Sequence, residues 1–465
     1  MHLPGRHPEM EKPTSGLTYS AVREGAEFIA RLDSNSVPPL ILERARACLF
    51  YALGTGVLCM GESYGKISEA GIVALDGVAG PGPGATAFGS GRRLSPSAAA
   101  FCNAVMIHGR CQEDTYESAH LGIAVIPPIM ALVEAGMASP DRIIPSIVAG
   151  YEVGGALARA FSKATSSYGL RASPIYGTIA AAAASAKAMG LSASQSVSAL
   201  AHAAAFTGGT LQAIADGTDE WRYQMGVAVR RGMEAAALGR AGAFGSAAAL
   251  EGRQGFARVY ARQPMDRPLD WGVRWALPDV AFKPYPICAR NQTPAVLAAR
   301  IREAIAVQDI ASLRLKMSDH ILIGMLEREP GRSIASTLMS TYFCVATILL
   351  HGHITLEMLA DFENQDVKAM IERIQIDLDT SIMYPSVHAE VETISGEVLS
   401  FREEITMADY AYTSHALLNL LKRIALESGM ESTLMDELYG YAYSANLASV
   451  DPVLETFRRA RRGHS

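Results

Sequence analysis

Between His108 and His120 the chain crowds imidazole, thiol, carboxylate and hydroxyl groups into one short stretch, His-Gly-Arg-Cys-Gln-Glu-Asp-Thr-Tyr-Glu-Ser-Ala-His. An apolar run with helical character, Ile123 to Glu134, follows at once. A loop of this density beside a buried helix can supply a general base, an orienting hydrogen bond and a proton carrier. The same residues also suit a polar loop that only caps the helix, and composition alone leaves both open. Cys111 sits beside Arg110 and near histidine, where a thiolate can act as base or nucleophile. It can equally be the small side chain that a tight loop accommodates.

The elements that must hold this loop are alanine-rich helices. Ala21 to Leu32 carries apolar residues at helical spacing, and Pro38-Pro39 opens a second helix through Tyr51. Ser95 to His108 reads as a helix with Ser95 as N-cap and Pro96 at its first position. Gly136 stops one helix and Ser139-Pro140 starts another; Gly190, Ser192 and Gln195 spell a stop followed by a capping box. Ala180 to Ala186 and Ala199 to Ala205 allow close helix packing. The character changes near residue 270, where Trp271 to Pro286 is aromatic and punctuated by proline. Ala311 to Met317, Ile374 to Asp379, His388 to Ile394 and Val398 to Phe401 alternate as strands. They predict a small antiparallel sheet flanked by helices such as Gln292 to Ala306 and Ser336 to Leu350. From Ala408 the chain is helical again. The expected fold is mainly α, a large helical domain made by both chain ends (20–270 and 406–465) with an inserted α+β lid (271–405) and a flexible segment at 1–19.

A chain of 465 residues exceeds one ordinary core, which agrees with two or so domains. A hydrophobic content of 49% against 19% charged excludes a disordered chain. The net charge of −6 gives no electrostatic footprint for nucleic acid or an anionic membrane. Arg458, Arg459, Arg461 and Arg462 read as the exposed end of a C-terminal helix. No apolar run is long enough to span a bilayer. Met1 to Ser20 is polar and proline-rich, without the build of a signal peptide. The six cysteines lack metal-finger spacing and read as buried thiols of a reducing compartment, so a soluble cytoplasmic protein is expected. Generic catalytic signatures are missing: there is no Walker loop, no HExxH and no GxSxG. Gly150-Tyr151-Glu152-Val153-Gly154-Gly155 continues a helical pattern and is no phosphate cradle.

The His108–Gly122 segment resembles the signature of the MmgE/PrpD family. The resemblance continues through Gly150 to Val153, Tyr176-Gly177-Thr178, Ala215 to Thr218 with Gly226-Val227-Ala228, Leu250 to Phe256, Phe282 to Cys288, and Met339-Ser340 to Leu350. It covers most of the chain from about residue 20, and the order and spacing of the motifs carry it rather than any one of them. It implies a homodimeric enzyme without metal or organic cofactor, which removes a proton, CO₂ or water beside a carboxylate of a small organic acid. Dehydratases, decarboxylases and epimerases all occur in this family. Carried over residue by residue, His120 is the proton carrier, Asp114 orients it, Thr115 binds substrate and Lys283 stabilises the growing charge. These roles suit the chemistry of the groups.

The chain departs from the signature at several points. Cys111 stands where an aspartate is usual, Glu113 where a second acid is often found, and His120-Leu121-Gly122 replaces His-Pro-Gly. Arg171 stands where a histidine is expected, and Trp221-Arg222-Tyr223-Gln224 where the family shows lysine and histidine. The family's tyrosine in the lid has no clean match around Leu322 to Ser333. With Arg110, Arg171, Arg222 and Lys283 as the available cations, Trp221 and Gln224 as neighbours and Cys111 as an added catalytic candidate, the expected substrate is less charged or bulkier than a tricarboxylate. Strict 2-methylcitrate dehydratase or cis-aconitate decarboxylase activity is not expected. The alternatives are a repurposed catalyst acting on a non-citrate acid, and a binding protein whose site has decayed.

Overall fold

The computed structural model describes residues 19–463, so the N-terminal segment expected to be loosely ordered lies, up to residue 18, outside the described residues. The first part of the chain is helical: α1 (Ala21–Arg31), α2 (Pro39–Leu58), α3 (Ser63–Asp76), a two-residue ladder of β1 (Ala85–Thr86) with β2 (Arg93–Leu94), α4 (Pro96–His108), α5 (Gly122–Glu134), α6 (Ile143–Ser167), α7 (Ala172–Ala188), α8 (Ala193–Phe206), α9 (Gln212–Asp216) and α10 (Glu220–Ala241). Local chemistry sets several of these ends. Ser95 accepts from Ala98 N at the start of α4, and Ser192 with Gln195 forms the full capping box of α8. Other ends differ from expectation. Ser139 makes no cap, and a 3₁₀ turn at Pro140–Arg142 leads into α6 instead. The second helix runs on to Leu58, because buried side chains continue along it.

Small residues let these helices approach closely. A Cβ at Gly154 would lie 2.7 Å from Ala180 Cβ, and one at Gly232 would lie 2.5 Å from Ala181 Cβ. Helix α7 is thus clamped between α6 and α10, and Tyr176 and Ile179 on it are fully buried. This close packing gives the loop before α5 a stiff floor.

The second part holds α11 (Gln292–Ala304), β3 (Ile310–Met317), α12 (Ile334–Met339), α13 (Thr341–His351), α14 (Leu356–Ala360), α15 (Gln365–Ile371), β4 (Ile374–Leu378), β5 (Val387–Thr393) and β6 (Val398–Glu403). Four strands form one sheet in the order β4-β3-β5-β6. The expectation of a wholly antiparallel sheet is corrected: β3 pairs parallel with β4, Leu313 opposite Ile374, whereas β3–β5 and β5–β6 are antiparallel. The helices between β3 and β4 make the long crossover that parallel pairing needs. The single helix expected over Ser336 to Leu350 is broken at Ser340, whose extended backbone ends α12 and whose hydroxyl caps α13 through Phe343 N. The chain closes with α16 (Ser414–Glu427), α17 (Thr433–Ala442) and α18 (Asp451–Gly463).

Two hydrophobic cores result. The first gathers residues from Ala21 to Phe282 together with Leu417 to Ala460; the second runs from Tyr285 to Val391 and includes Cys111, Ala213 and Trp221. The changeover falls between Phe282 and Tyr285, immediately around Lys283. Both chain ends therefore build one core, and the signature loop touches the other. No helix among the described residues is long and apolar enough to cross a membrane.

Candidate active site

The loop after α4 is held by backbone pairing rather than by composition. Thr115 N donates to Ala281 O at 2.8 Å and Ala281 N to Thr115 O at 2.9 Å, while Tyr116 and Ala119 pair across a tight turn. Tyr51 Oη, rising from α2, lies 2.5 Å from Gln112 O and 2.7 Å from Lys283 O. Cys111 has a positive φ of 54°, unusual for a side chain with a Cβ, and it turns the chain at the start of the loop. The loop and the segment ending in Lys283 are joined side by side.

Glu113 is the hub of the site. Its Oε1 accepts from Lys283 Nζ at 2.6 Å and lies 3.4 Å from His120 Nε2, and its Oε2 lies 3.0 Å from His108 Nδ1. Lys283 also donates to Cys111 O at 2.8 Å. Arg171 donates to His108 Nε2 at 2.7 Å, so the proton of His108 is on Nδ1 and points at Glu113. His120 Nδ1 donates to the backbone carbonyl of Asp114 at 2.8 Å, which leaves a lone pair on Nε2. Thr115 Oγ1 lies 3.3 Å from the same Nδ1.

Burial decides the charge states. Burial and the neighbouring Lys283 push His120 down to about 3, and burial pushes His108 down to about 4 despite Glu113. Burial opposes a charge on Glu113, yet the Lys283 cation and the hydrogen bond from His108 hold its carboxyl well below the usual range. Lys283 loses solvation too, but the acidic face opposite it raises its pKa. At neutral pH the site therefore holds a Lys–Glu ion pair, the Arg171 cation and two neutral imidazoles. In the unfolded chain the histidines take up protons near 6.5. Because their folded values lie lower, stability is full above that pH and declines as pH falls toward 4 and below; Glu113 adds to the loss below 4.5. Denaturant midpoints measured over this range should fall with pH, and His108→Gln should flatten the part between 6.5 and 4.

Asp114 points the other way. Its Oδ2 accepts from Tyr151 Oη at 2.6 Å and its Oδ1 from Gly122 N at 3.1 Å, at the start of α5. Burial lifts its carboxyl to about 6. The carboxyl does not orient His120 as expected; the Asp114 carbonyl does, because neighbouring side chains of an extended loop face opposite ways. A Cβ at Gly122 would lie 2.6 Å from both Asp114 Oδ1 and Tyr151 Oη. Gly122→Ala should therefore cost about 1–3 kcal/mol by pushing this pair apart, to be read from the denaturant midpoint; an unchanged midpoint would show that the pair gives way freely.

Comparison with known proteins fits this construction. Models of the MmgE/PrpD N-terminal domain and the MmgE/PrpD C-terminal domain match residues 23–268 and 285–406. The chain belongs to the MmgE/PrpD family. Relatives include the cis-aconitate decarboxylase of Mus musculus, 32% identical over 65% of this chain and 62% of that protein. The cis-aconitate decarboxylase of Homo sapiens is 30% identical over 58% of this chain and 56% of its own length. A cis-aconitate decarboxylase-like protein oryM from Aspergillus oryzae is 30% identical over 48% and 47%. The matches thus span less than two thirds of each of these relatives.

Within this member of the family, a cavity of about 320 Å³ opens between the two cores. His120, Lys283, Cys111, Thr115, Arg171 and Trp221 line it, and so does His108. The His120 side chain is 18% exposed. Burial raises the Cys111 thiol to about 12, which favours the small side chain of a tight loop over the thiolate as the reading of this residue. Arg110 turns away to Gln112 Oε1 and Leu58 O. Arg222 is buried over the Tyr64 ring and pairs with Asp219, outside the cavity lining. Gln224 does not line it either; its Oε1 accepts from Arg171 at 3.3 Å and so steadies that cation. No group of His, Cys, Asp and Glu able to hold a metal ion occurs among the described residues.

Sequence reasoning gave no site role to Glu113, His108, Arg290 or Tyr384. Glu113 had a usable signal, since a buried lysine demands a buried carboxylate. Arg290 and Tyr384 reach the cavity from the second core through long-range folding, with no local motif to mark them.

Proposed function

We propose that this chain is a lyase or isomerase that removes a proton or CO₂ beside a carboxylate of a small organic acid. The observation that carries this is the pinned, neutral His120 at the cavity wall, with its unprotonated Nε2 beside Glu113 and Lys283 close by on the same carboxylate. Taking a proton on Nε2 makes an imidazolium whose Nδ1–H already bonds the Asp114 carbonyl and whose new N–H faces Glu113 Oε1 at 3.4 Å. Lys283 spends two of its three N–H groups on Glu113 and the Cys111 carbonyl. The third makes only a long contact to Cys111 Sγ at 3.9 Å, which an enolate oxygen can replace, and a donor fixed before reaction stabilises that charge with little reorganisation. Return of that proton to the opposite face of the enolate completes an epimerisation, whereas the carbanion left by loss of CO₂ takes its proton from water entering with the substrate. Loss of water needs an additional acid for the departing hydroxyl, so decarboxylation or epimerisation is favoured. The decarboxylase names of the relatives support testing decarboxylation first.

The charges favour a substrate with one or two carboxylates. Glu113 offsets one of the two inner cations, Lys283 and Arg171. A tricarboxylate such as cis-aconitate would enter with too little compensation for its lost hydration, so it is expected to be a poor substrate. The second core is proposed to act as the lid, inserted at 271–405 between 20–270 and 406–465. The active form is proposed to be a homodimer in the reducing cytoplasm; a solution mass near that of one chain at micromolar concentration would overturn the dimer.

Proton NMR in D₂O with a panel of di- and tricarboxylic acids tests the chemistry. Loss of one α-proton signal without a new compound indicates enolisation, and new vinyl signals indicate a lyase. Tight binding of an acid with neither change would support a binding protein instead.

A further inference from the structure

The two cores give the cavity walls of opposite character. The first contributes His108, His120, Lys283 and Arg171. The second contributes Leu322, Ile323, Leu338 and Met339, with Ile214 on α9 and the Trp221 ring continuing the apolar surface. Leu338 and Met339 are buried, whereas Ile321 and Ile323 are 37% and 61% exposed, so the apolar wall runs from the interior to the mouth. Among the described residues, Arg290 is the one charged lining residue from the second core. It donates to His320 O at 2.9 Å with its guanidinium 5.0 Å from the Tyr384 ring centroid. Apart from Arg290 and Tyr384, that wall is apolar and offers no other partner to a further carboxylate.

We propose that the substrate is a carboxylic acid bearing a hydrocarbon chain, its carboxylate end at Arg171 and Lys283 and its chain along Ile214, Leu322, Leu338 and Met339 toward Ile323. This deepens the function proposed above and rests on it for the reacting end. A cavity of about 320 Å³ has room for a short acid and several methylenes. Each methylene taken from water should tighten binding about fourfold until the cavity is full.

Titration calorimetry with succinate and its 2-methyl, 2-butyl and 2-hexyl derivatives tests this, the same samples being followed by NMR in D₂O. The expected result is a dissociation constant that falls about fourfold per methylene. Ile323→Ser, at an exposed position where folding does not depend on it, should weaken 2-hexylsuccinate more than succinate. Equal affinity along the series, or no binding by any member, would overturn the proposal. So would hexylamine binding as tightly as 2-hexylsuccinate, since that would show a greasy surface indifferent to the acid. Flat affinity with α-proton exchange removes the chain and leaves the catalytic assignment standing. Rising affinity without exchange supports the chain and counts against the catalysis.

Discussion

His120→Asn lowers turnover by about 10²–10⁴-fold, the range that a positioned general base contributes, with little change in substrate affinity. Asparagine keeps an N–H able to reach the Asp114 carbonyl, so the loop should retain its shape while the lone pair at Nε2 is lost. Single-turnover rates and calorimetric affinities measured on the same variant separate chemistry from binding. A variant within tenfold of the parent would remove His120 from the reaction and move attention to His108. The parent's pH profile is a second check. With His120 pushed down to about 3, kcat/KM should show no acidic limb from this residue between pH 5 and 8.

Lys283→Met has the second large effect, and it acts on folding as well as turnover. Removing the ammonium leaves the Glu113 carboxylate buried against two neutral histidines, and breaking a buried pair in this way costs about 3–5 kcal/mol. The double variant Lys283→Met with Glu113→Leu should recover most of that stability, because neither charge is then left alone. Turnover should be lost in both. Denaturant midpoints of the two single variants and the double variant complete the cycle. If the double variant is no more stable than Lys283→Met, the ion pair is not what makes the lysine costly to remove. Histidine ring shifts in Lys283→Met should also show His120 taking up its proton at a higher pH than in the parent, since burial still disfavours its charge but the Lys283 cation no longer adds to it.

Much of the helical framework was legible because its signals are local. Ser95-Pro96 and the Ser192–Gln195 box work through contacts three residues apart, so the residue types suffice to place them. The strands were visible in their alternation. Their pairing was not, because the parallel match of Leu313 with Ile374 depends on the crossover between them. At the cavity, the placement of His120 and Lys283 was legible by type and by resemblance. The roles of Glu113 and Asp114 were not, because two adjacent acids look alike until something sets which one faces inward. The Thr115–Ala281 bridge between distant parts of the chain sets that register. Arg110 and Arg222 misled for a related reason. Sequence shows a cation near the site, but the Leu58 carbonyl and the Tyr64 ring that occupy them belong to other elements.

The tie made by Tyr51 has a consequence for how such a catalyst can change over time. The Tyr51 hydroxyl sits between the loop that carries His120 and the segment that carries Lys283, against a carbonyl of each, and loop and segment are also laced together backbone to backbone. The spacing between His120 and Lys283 is thus set by the first core and not by the residues at the cavity mouth. Mutations in the 321–323 stretch can exchange one clientele of acids for another while the reacting pair keeps its geometry. A laboratory selection for new substrates should accordingly collect its early winners in that stretch and leave Tyr51 untouched.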